Sequence, residues 1–469
     1  MSPRQSRIRL ALRRRPLMTP WRREALRTTL WLVPTLLCVA AVALFSGTYA
    51  VDRLAFDHGI HLPSLLSQSS PDAARTILGA AAGALITVTG VLFSVMIVAF
   101  TLASQQFGPR MLRNFIRDLG TQFSLGTYVA SFVYTVLTLG SVGASANGTF
   151  VPRLSIAVAE LLLLVDTAVL IYFVHHIAVS IQLPEVMAGI SRDLRRAIDV
   201  QFPTTEDDAP TAAPLLAEQT CRRMEGVSAT VPATTSGYLQ FVRREELIAI
   251  AADTDSVIEL LYRPGHFVTA GLPLARVWPA SAAPVVAAAH ARAHVSGAHR
   301  TLTQDPVFPV DQLVEIAIRA LSAAVNDTFT ALTCIDWLAD ALCRISTLAL
   351  PETLHCDRSG VPRLIERPPS YDRIVNRAVD KVRQAGGTMP AVAIRQIDAL
   401  AKVVQYTTSP DQRAVLARQV AMWGRAAEGI PDPDDAGDVA RRIADFDAKM
   451  DQHARGVAIP LGMVQRESH

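Results

Sequence analysis

Residues 73–112 read AARTILGAAAGALITVTGVLFSVMIVAFTLASQQFGPRML, and between positions 76 and 109 no residue is charged. A hydrocarbon core of roughly 30 Å needs about 20 apolar residues rising 1.5 Å each, so this stretch can cross a bilayer with residues to spare. Residues 28–51 and 119–152 carry no charge either, and residues 154–184 carry only Glu160 and Asp166. With 469 residues, 50% hydrophobic and 19% charged, the chain is too apolar for one soluble domain. An α-helical integral membrane protein with four transmembrane helices is expected.

Charge outside these spans orients them. Residues 1–28 hold nine Arg against the single acid Glu24, Arg110, Arg113 and Arg117 separate the second span from the third, and Arg192, Arg195 and Arg196 follow the fourth. The remaining loops have only Arg53, Arg75 and Arg153. Basic residues stay on the cytoplasmic side, so both termini are expected there (N-in/C-in). The first apolar run is too long for a signal peptide and is expected to remain as an anchor. The expected organisation is a basic segment (1–28), a four-helix transmembrane domain (29–184), a helix and linker (185–235), a small β-rich module (236–305) and a helical domain (306–469). Residues 190–469 sum to −4, which speaks against nucleic acid as a partner.

Small and hydroxyl residues of the second span recur in a 4-3 alternation: Gly83, Thr87, Gly90, Ser94, Ile97, Thr101 and Ser104, ending at Gln105 and Gln106. Such a stripe keeps to one seam of a helix. It serves close helix–helix packing, or, if several copies surround an axis, it lines an uncharged, hydroxyl-rich pore. The fourth span contributes the intramembrane ionisable groups Glu160, Asp166, His175 and His176. A carboxylate there is a functional candidate because desolvation at the helix centre costs at least ~2.5 kcal/mol. At 100° per residue His176 falls about 80° from Asp166 and His175 on the opposite side, so at most one histidine shares the Asp166 face.

Beyond the Pro/Thr/acid-rich connector after Phe202, strands are expected at 238–242, 257–262 and 274–277 and a helix at 245–252, with a turn at Pro264 and Gly265. The stretch RPGHFVTAGLPLARV looks like the hairpin of a biotinyl or lipoyl barrel-sandwich module. The carrier lysine is missing: the chain has only Lys381, Lys402 and Lys449, so prosthetic-group attachment, a lysyl Schiff base or a phosphate-loop lysine is excluded before residue 381. Helices are expected at 310–325, 328–348 (capped by Asn326 and Asp327), 371–384, 390–406, 410–427 and 433–455, an antiparallel bundle. His290 and His294 are four apart, but with no H-E-x-x-H form a surface helix is the plainer reading. Asp336 and Asp340 read as a solvated edge. Five cysteines form no C-x-x-C pair, and no G-x-S-x-G nucleophile appears. No enzyme, cofactor or metal is expected.

Four blocks in order, GVLFSVMIVAFTLASQQFGPRMLRNFIRDLGTQFSLGTYVASFVYTVLTL (90–139), IYFVHHIAVSIQ (171–182), RPGHFVTAGLPLARV (263–277) and RTLTQDPVFPVDQLVEIAIRALSAAVNDTFTA (300–331), resemble one bacterial family of predicted membrane proteins, domain of unknown function 2254. The resemblance implies a four-span protein of the bacterial inner (cytoplasmic) membrane with a cytoplasmic part, and no activity. It singles out Gln105, Phe107, Pro109 and Arg110; His175, His176 and Gln182; and a cytoplasmic motif of Arg300, Thr301, Gln304, Asp305, Asn326 and Asp327. Two functions are carried forward. One is an oligomeric ion channel or channel-like permeation protein lined by the second span and gated by the cytoplasmic region. The other is a non-conducting membrane scaffold or sensor that recruits a cytoplasmic partner. The lipid bilayer and further copies of the chain are the expected partners.

Overall fold

The computed structural model describes residues 31–58, 70–108, 115, 117–145, 148–202 and 213–455. The Arg-rich run 1–28, Pro109, Arg110, Arg113 and residues 203–212 of the connector lie outside the described residues. The chain divides into two compact units, Met1–Val186 and Met187–His469.

Among the described residues of the first unit, four helices are long and apolar enough to cross a membrane: α1 (Leu32–Asp57), α2 (Pro71–Phe107), α3 (Leu119–Ser141) and α4 (Arg153–Ser180). The third ends well before residue 152. Residues 140–148, GSVGASANG, are rich in weak helix formers, and the chain turns there into a hairpin of β1 (Gly143–Ser145) and β2 (Gly148–Phe150). The start of α2 is set by Ser70, which accepts from the Ala73 N–H at 3.3 Å with Pro71 following. Asp118 caps α3 in the same way, accepting from the Thr121 N–H at 2.8 Å.

The α4 N-terminus has no side-chain cap of its own and takes one from another helix. Asp52, on α1 and 4% exposed, accepts from the N–H groups of Leu154 and Ser155, both at 2.9 Å, and from the Ser155 hydroxyl at 2.8 Å. Thr48 and Tyr134 extend this cluster through hydroxyl contacts of 2.8 and 3.1 Å. The carboxylate thereby satisfies donors that an unpaired helix start leaves orphaned, and sits at the positive end of the α4 dipole.

Helix α3 packs against α1, α2 and α4. Its buried face carries Thr121, Ser124, Tyr128, Ser131, Thr135 and Thr138, a hydroxyl at every third or fourth residue. Ser124, Thr135 and Thr138 each donate to the carbonyl one turn back. Aliphatic side chains such as Leu36, Val39, Ile86, Val91, Leu164 and Ile171 face outward. Hydroxyls inside and hydrocarbon outside is the arrangement that a lipid solvent imposes.

The second unit opens with α5 (Leu183–Gln201), which begins at the unit boundary, and α6 (Ala213–Met224). Strands β3 (Ala229–Pro232), β4 (Gly237–Val242), β5 (Val257–Leu260), β6 (Phe267–Val268), β7 (Pro273–Trp278) and β8 (His294–Gly297) follow, with α7 (Arg244–Asp253) and α8 (Ala283–Ala293) between them. Then come α9 (Val307–Ala320), α10 (Thr328–Ser346), β9 (Leu354–Cys356), β10 (Pro362–Ile365), α11 (Tyr371–Ala385), α12 (Pro390–Val404), α13 (Pro410–Ala427) and α14 (Pro433–Ala454). The strands form a five-stranded sheet, β3-β7-β5-β10-β9, and a three-stranded sheet, β6-β4-β8, around one core of Leu239, Ile258, Val277, Val286 and Leu364. Strand β10 runs parallel to β5, so residues 354–365 extend the sheet beyond the segment 236–305.

Segment 290–299 is not a surface helix: α8 stops at Ala293, His294 opens β8, and His290 is 2% exposed. Asp336 and Asp340 are ion-paired rather than merely solvated, Asp336 with Arg395 of α12 and Asp340 with Arg195 of α5. Among the bundle helices, Trp423 is fully buried and donates to Gln396 at 2.8 Å.

Replacing Asp52 by Leu strands the Leu154 and Ser155 N–H groups in an apolar interior. Denaturation of the purified protein in mixed detergent is expected to show a loss of about 1–3 kcal/mol.

Candidate functional site

The face of α2 singled out in the sequence points away from the rest of its own unit. Gly83, Thr87, Gly90, Ser94, Thr101 and Gln105 are exposed and Ser104 half-buried, whereas Leu78, Leu85, Leu92, Met96, Ala99 and Ala103 on the opposite side are buried. Thr87, Ser94 and Thr101 donate to the carbonyls of Gly83, Gly90 and Ile97, so none of these hydroxyls needs a partner outside the helix. A Cβ added at Gly79, Gly83 or Gly90 would meet nothing within 4 Å. Among the described residues, no other helix packs on this stripe. Gly79 precedes Gly83 by four residues on the same exposed face, a G-x-x-x-G pair that extends the stripe and is legible as a motif.

Inside the four-helix unit the ionisable groups separate into three places. Asp166 is 2% exposed, and neither carboxylate oxygen has a hydrogen-bond partner among the described residues. The Tyr128 hydroxyl reaches only its main-chain oxygen, at 2.6 Å, and the Ser131 hydroxyl is likewise buried and unbonded. His176 does not join Asp166. Its Nε2 lies 2.6 Å from Asp118 Oδ2, with the Tyr172 ring stacked on it at 5.3 Å. Gly120 makes room for this pair, since a Cβ there would fall 2.6 Å from His176 Nε2. His175 is exposed and Glu160 half-buried. Asp52 and the Asp118–His176 pair have no signal in the sequence, because the partners are distant along the chain, although Asp118 before Leu119 is a local helix cap.

The motif of the second unit is partly assembled. Thr301 donates to the Gln240 carbonyl at 3.2 Å, and the Gln304 amide clasps the Val242 backbone at 2.8 and 3.0 Å, fixing the loop to the β4 edge. Arg300 grips Asp305 at 2.6 Å and also Asp311, and its guanidinium lies 5.0 Å from the Phe308 ring centre. Burial pushes the Asp305 carboxyl up, opposed by Arg300. Asn326 and Asp327 stand apart, at the far end of α9, about 21 Å of helix away. Asn326 takes the left-handed backbone at φ 50°, and Asp327 caps α10 by accepting from the Thr330 N–H at 3.1 Å, which is a structural role.

The turn 263–266 lies against this loop, with Gly265 on the Asp305 carboxylate, and its charged residues carry no motif of their own in the sequence. Burial, then Arg263, Arg373, Arg300 and Arg377, press His266 down to about 4. Burial, followed by His294, does the same to His290, whose ring nitrogens are buried without partners.

The model of the family described as predicted membrane protein (DUF2254) matches residues 27–402. Uncharacterized proteins of Mycobacterium tuberculosis and Mycobacterium bovis are each 30% identical over 416 residues, covering 86% of this chain and 77% of theirs. No solved structure matches significantly.

Two outcomes follow. Asp166→Leu removes a buried carboxyl whose oxygens make no hydrogen bond among the described residues, so the detergent-solubilised protein should unfold no more readily than the parent. Both histidines bind their proton less readily folded than unfolded, so stability is full above about 6.5 and falls with pH toward about 4. His290→Phe should flatten that acid limb in pH-dependent melting.

Proposed function

The chain belongs to the family of predicted membrane proteins described as domain of unknown function 2254, and from that premise we propose that it is an oligomeric, channel-like permeation protein assembled through α2. The carrying observation is the exposed face of Gly79, Gly83, Thr87, Gly90 and Ser94, which no other described helix covers. Small residues let backbones approach, and close approach is what holds helices together where lipid removes the hydrophobic drive. Several copies meeting on this seam enclose a hydroxyl-lined axis with Gln105 and Gln106 at one mouth. The arginine bias supports putting that mouth, both termini and the second unit on the cytoplasmic side of a bacterial inner membrane. In this reading the second unit gates the path.

One observation favours the non-conducting reading, a scaffold or sensor that recruits a cytoplasmic partner. The stripe hydroxyls are already bonded to their own helix, so the seam is complete without water or an ion. Cross-linking and flux separate the two. In a cysteine-free background, Thr87→Cys and Ser94→Cys should each cross-link copy to copy, and Gly83→Leu should abolish that cross-link. Thr87→Leu or Ser94→Leu should abolish ion flux in proteoliposomes. Absent cross-links sink the assembly; cross-links with flux unchanged by leucine leave the scaffold.

A further inference from the structure

Three segments of the second unit far apart in sequence meet at the turn Arg263-Pro264-Gly265-His266. Gly265 sits at φ 93°, and its N–H donates to the Leu239 carbonyl at 2.8 Å, which seats the turn on β4. A Cβ at this position would fall 2.6 Å from Asp305 Cγ, so the absence of a side chain is what lets the Asp305 carboxylate rest on the turn. Asp305 holds Arg300, Arg300 and Arg377 share Asp311, and Arg377 lies one turn beyond Arg373 on α11. The turn, the 300–305 loop and one face of α11 thus bring four guanidinium groups together with two carboxylates. Asp372, beside Arg373, is committed to Arg418. Among the described residues, neither the Arg263 nor the Arg373 guanidinium has a hydrogen-bonding or acidic partner within ion-pair distance.

We propose that Arg263, Arg300, Arg373 and Arg377 form a binding site for a phosphate monoester group. Planar guanidinium forks match phosphate oxygens two at a time, and a phosphate monoester carries about −1.5 to −2 charge, which offsets the excess of two cations. The alternative, a merely solvated basic surface, does not account for Arg263. It is half-buried, and burial, then Arg373, Arg377 and Arg300, press it down to about 10 against the opposing charge of Asp305, which is already held by Arg300. Like charges gathered in a partly desolvated place repel one another until an anion joins them. Two sources supply the same chemistry: a soluble phosphorylated compound, or the headgroup of an anionic lipid at a membrane surface. The site stands independently of α2 and of any assembly through it.

The test is the unfolding midpoint of the full-length protein in detergent, followed by tryptophan fluorescence, with chloride replaced by inorganic phosphate or pyrophosphate at constant ionic strength. A rise of a few degrees is expected. Arg263→Gln and Arg373→Gln, singly and together, should raise the midpoint in chloride, because repulsion is relieved, and should erase the phosphate increment. Arg373 is exposed, so its replacement leaves the core intact. A second arm compares phosphatidylcholine nanodiscs with and without phosphatidic acid. An increment there alone, again erased by the double variant, assigns the site to a lipid headgroup. No increment in either arm, an increment that survives the double variant, or arginine variants that melt lower in chloride would each overturn the proposal.

Discussion

The requirement that every polar group find a partner without water shapes the four-helix unit. Helix α3 meets it by turning its hydroxyls to the interior and returning half of them to its own backbone, which frees its neighbours to pack on a polar face while presenting hydrocarbon outward. The start of α4 meets it across the chain. Pro152 precedes the helix and offers no cap, and Asp52 of α1 supplies the acceptors instead, tying the first span to the fourth. Asp118 does two things at once, capping α3 and holding His176 of α4.

Against that economy of partners the exceptions stand out. Asp166 is buried beside the Tyr128 and Ser131 hydroxyls of α3, yet neither carboxylate oxygen is hydrogen-bonded among the described residues. In the second unit the corresponding exception is an excess of charge rather than a lack of bonds: Arg263 and Arg373 sit by other arginines with no acid of their own. Local satisfaction elsewhere in the same units, down to the ion pairs of Asp336 and Asp340, makes these unlike the background.

The spans and the later helices were legible because length, charge and capping residues are local. Ser409 with Gln412 forms a capping box, and Asp327 caps α10 as its place before an apolar run suggests. Strands β9 and β10 were not legible, since three or four residues carry little period and the pairing of β10 with β5, on which β9 depends, joins Leu364 to Ile258. The candidate site divides the same way. A 4-3 hydroxyl pattern is present on α2 and again on α3, at 121, 124, 128, 131, 135 and 138, and spacing alone cannot say which face turns inward. That depends on which helix lies in the middle of the four, a property of tertiary packing. The arginine cluster was half seen: Arg300 and Asp305 stand in a motif, whereas Arg263 and Arg373 join them only when the 263–266 turn and α11 are brought to the same loop.

The α2 face can be argued from its glycines alone. Each glycine inside an exposed helix costs about 0.8–1 kcal/mol relative to alanine, and alanine is what surrounds these positions, at Ala80, Ala81, Ala82 and Ala84. Among the described residues nothing would obstruct a methyl group at Gly79, Gly83 or Gly90, so packing among them gives no reason for any of the three. Nor does backbone conformation, since all lie within an uninterrupted helix. In the proposed assembly, what comes closer than a Cβ allows is an object outside the chain. Lipid tails are mobile and make no such demand, whereas the backbone of another helix does.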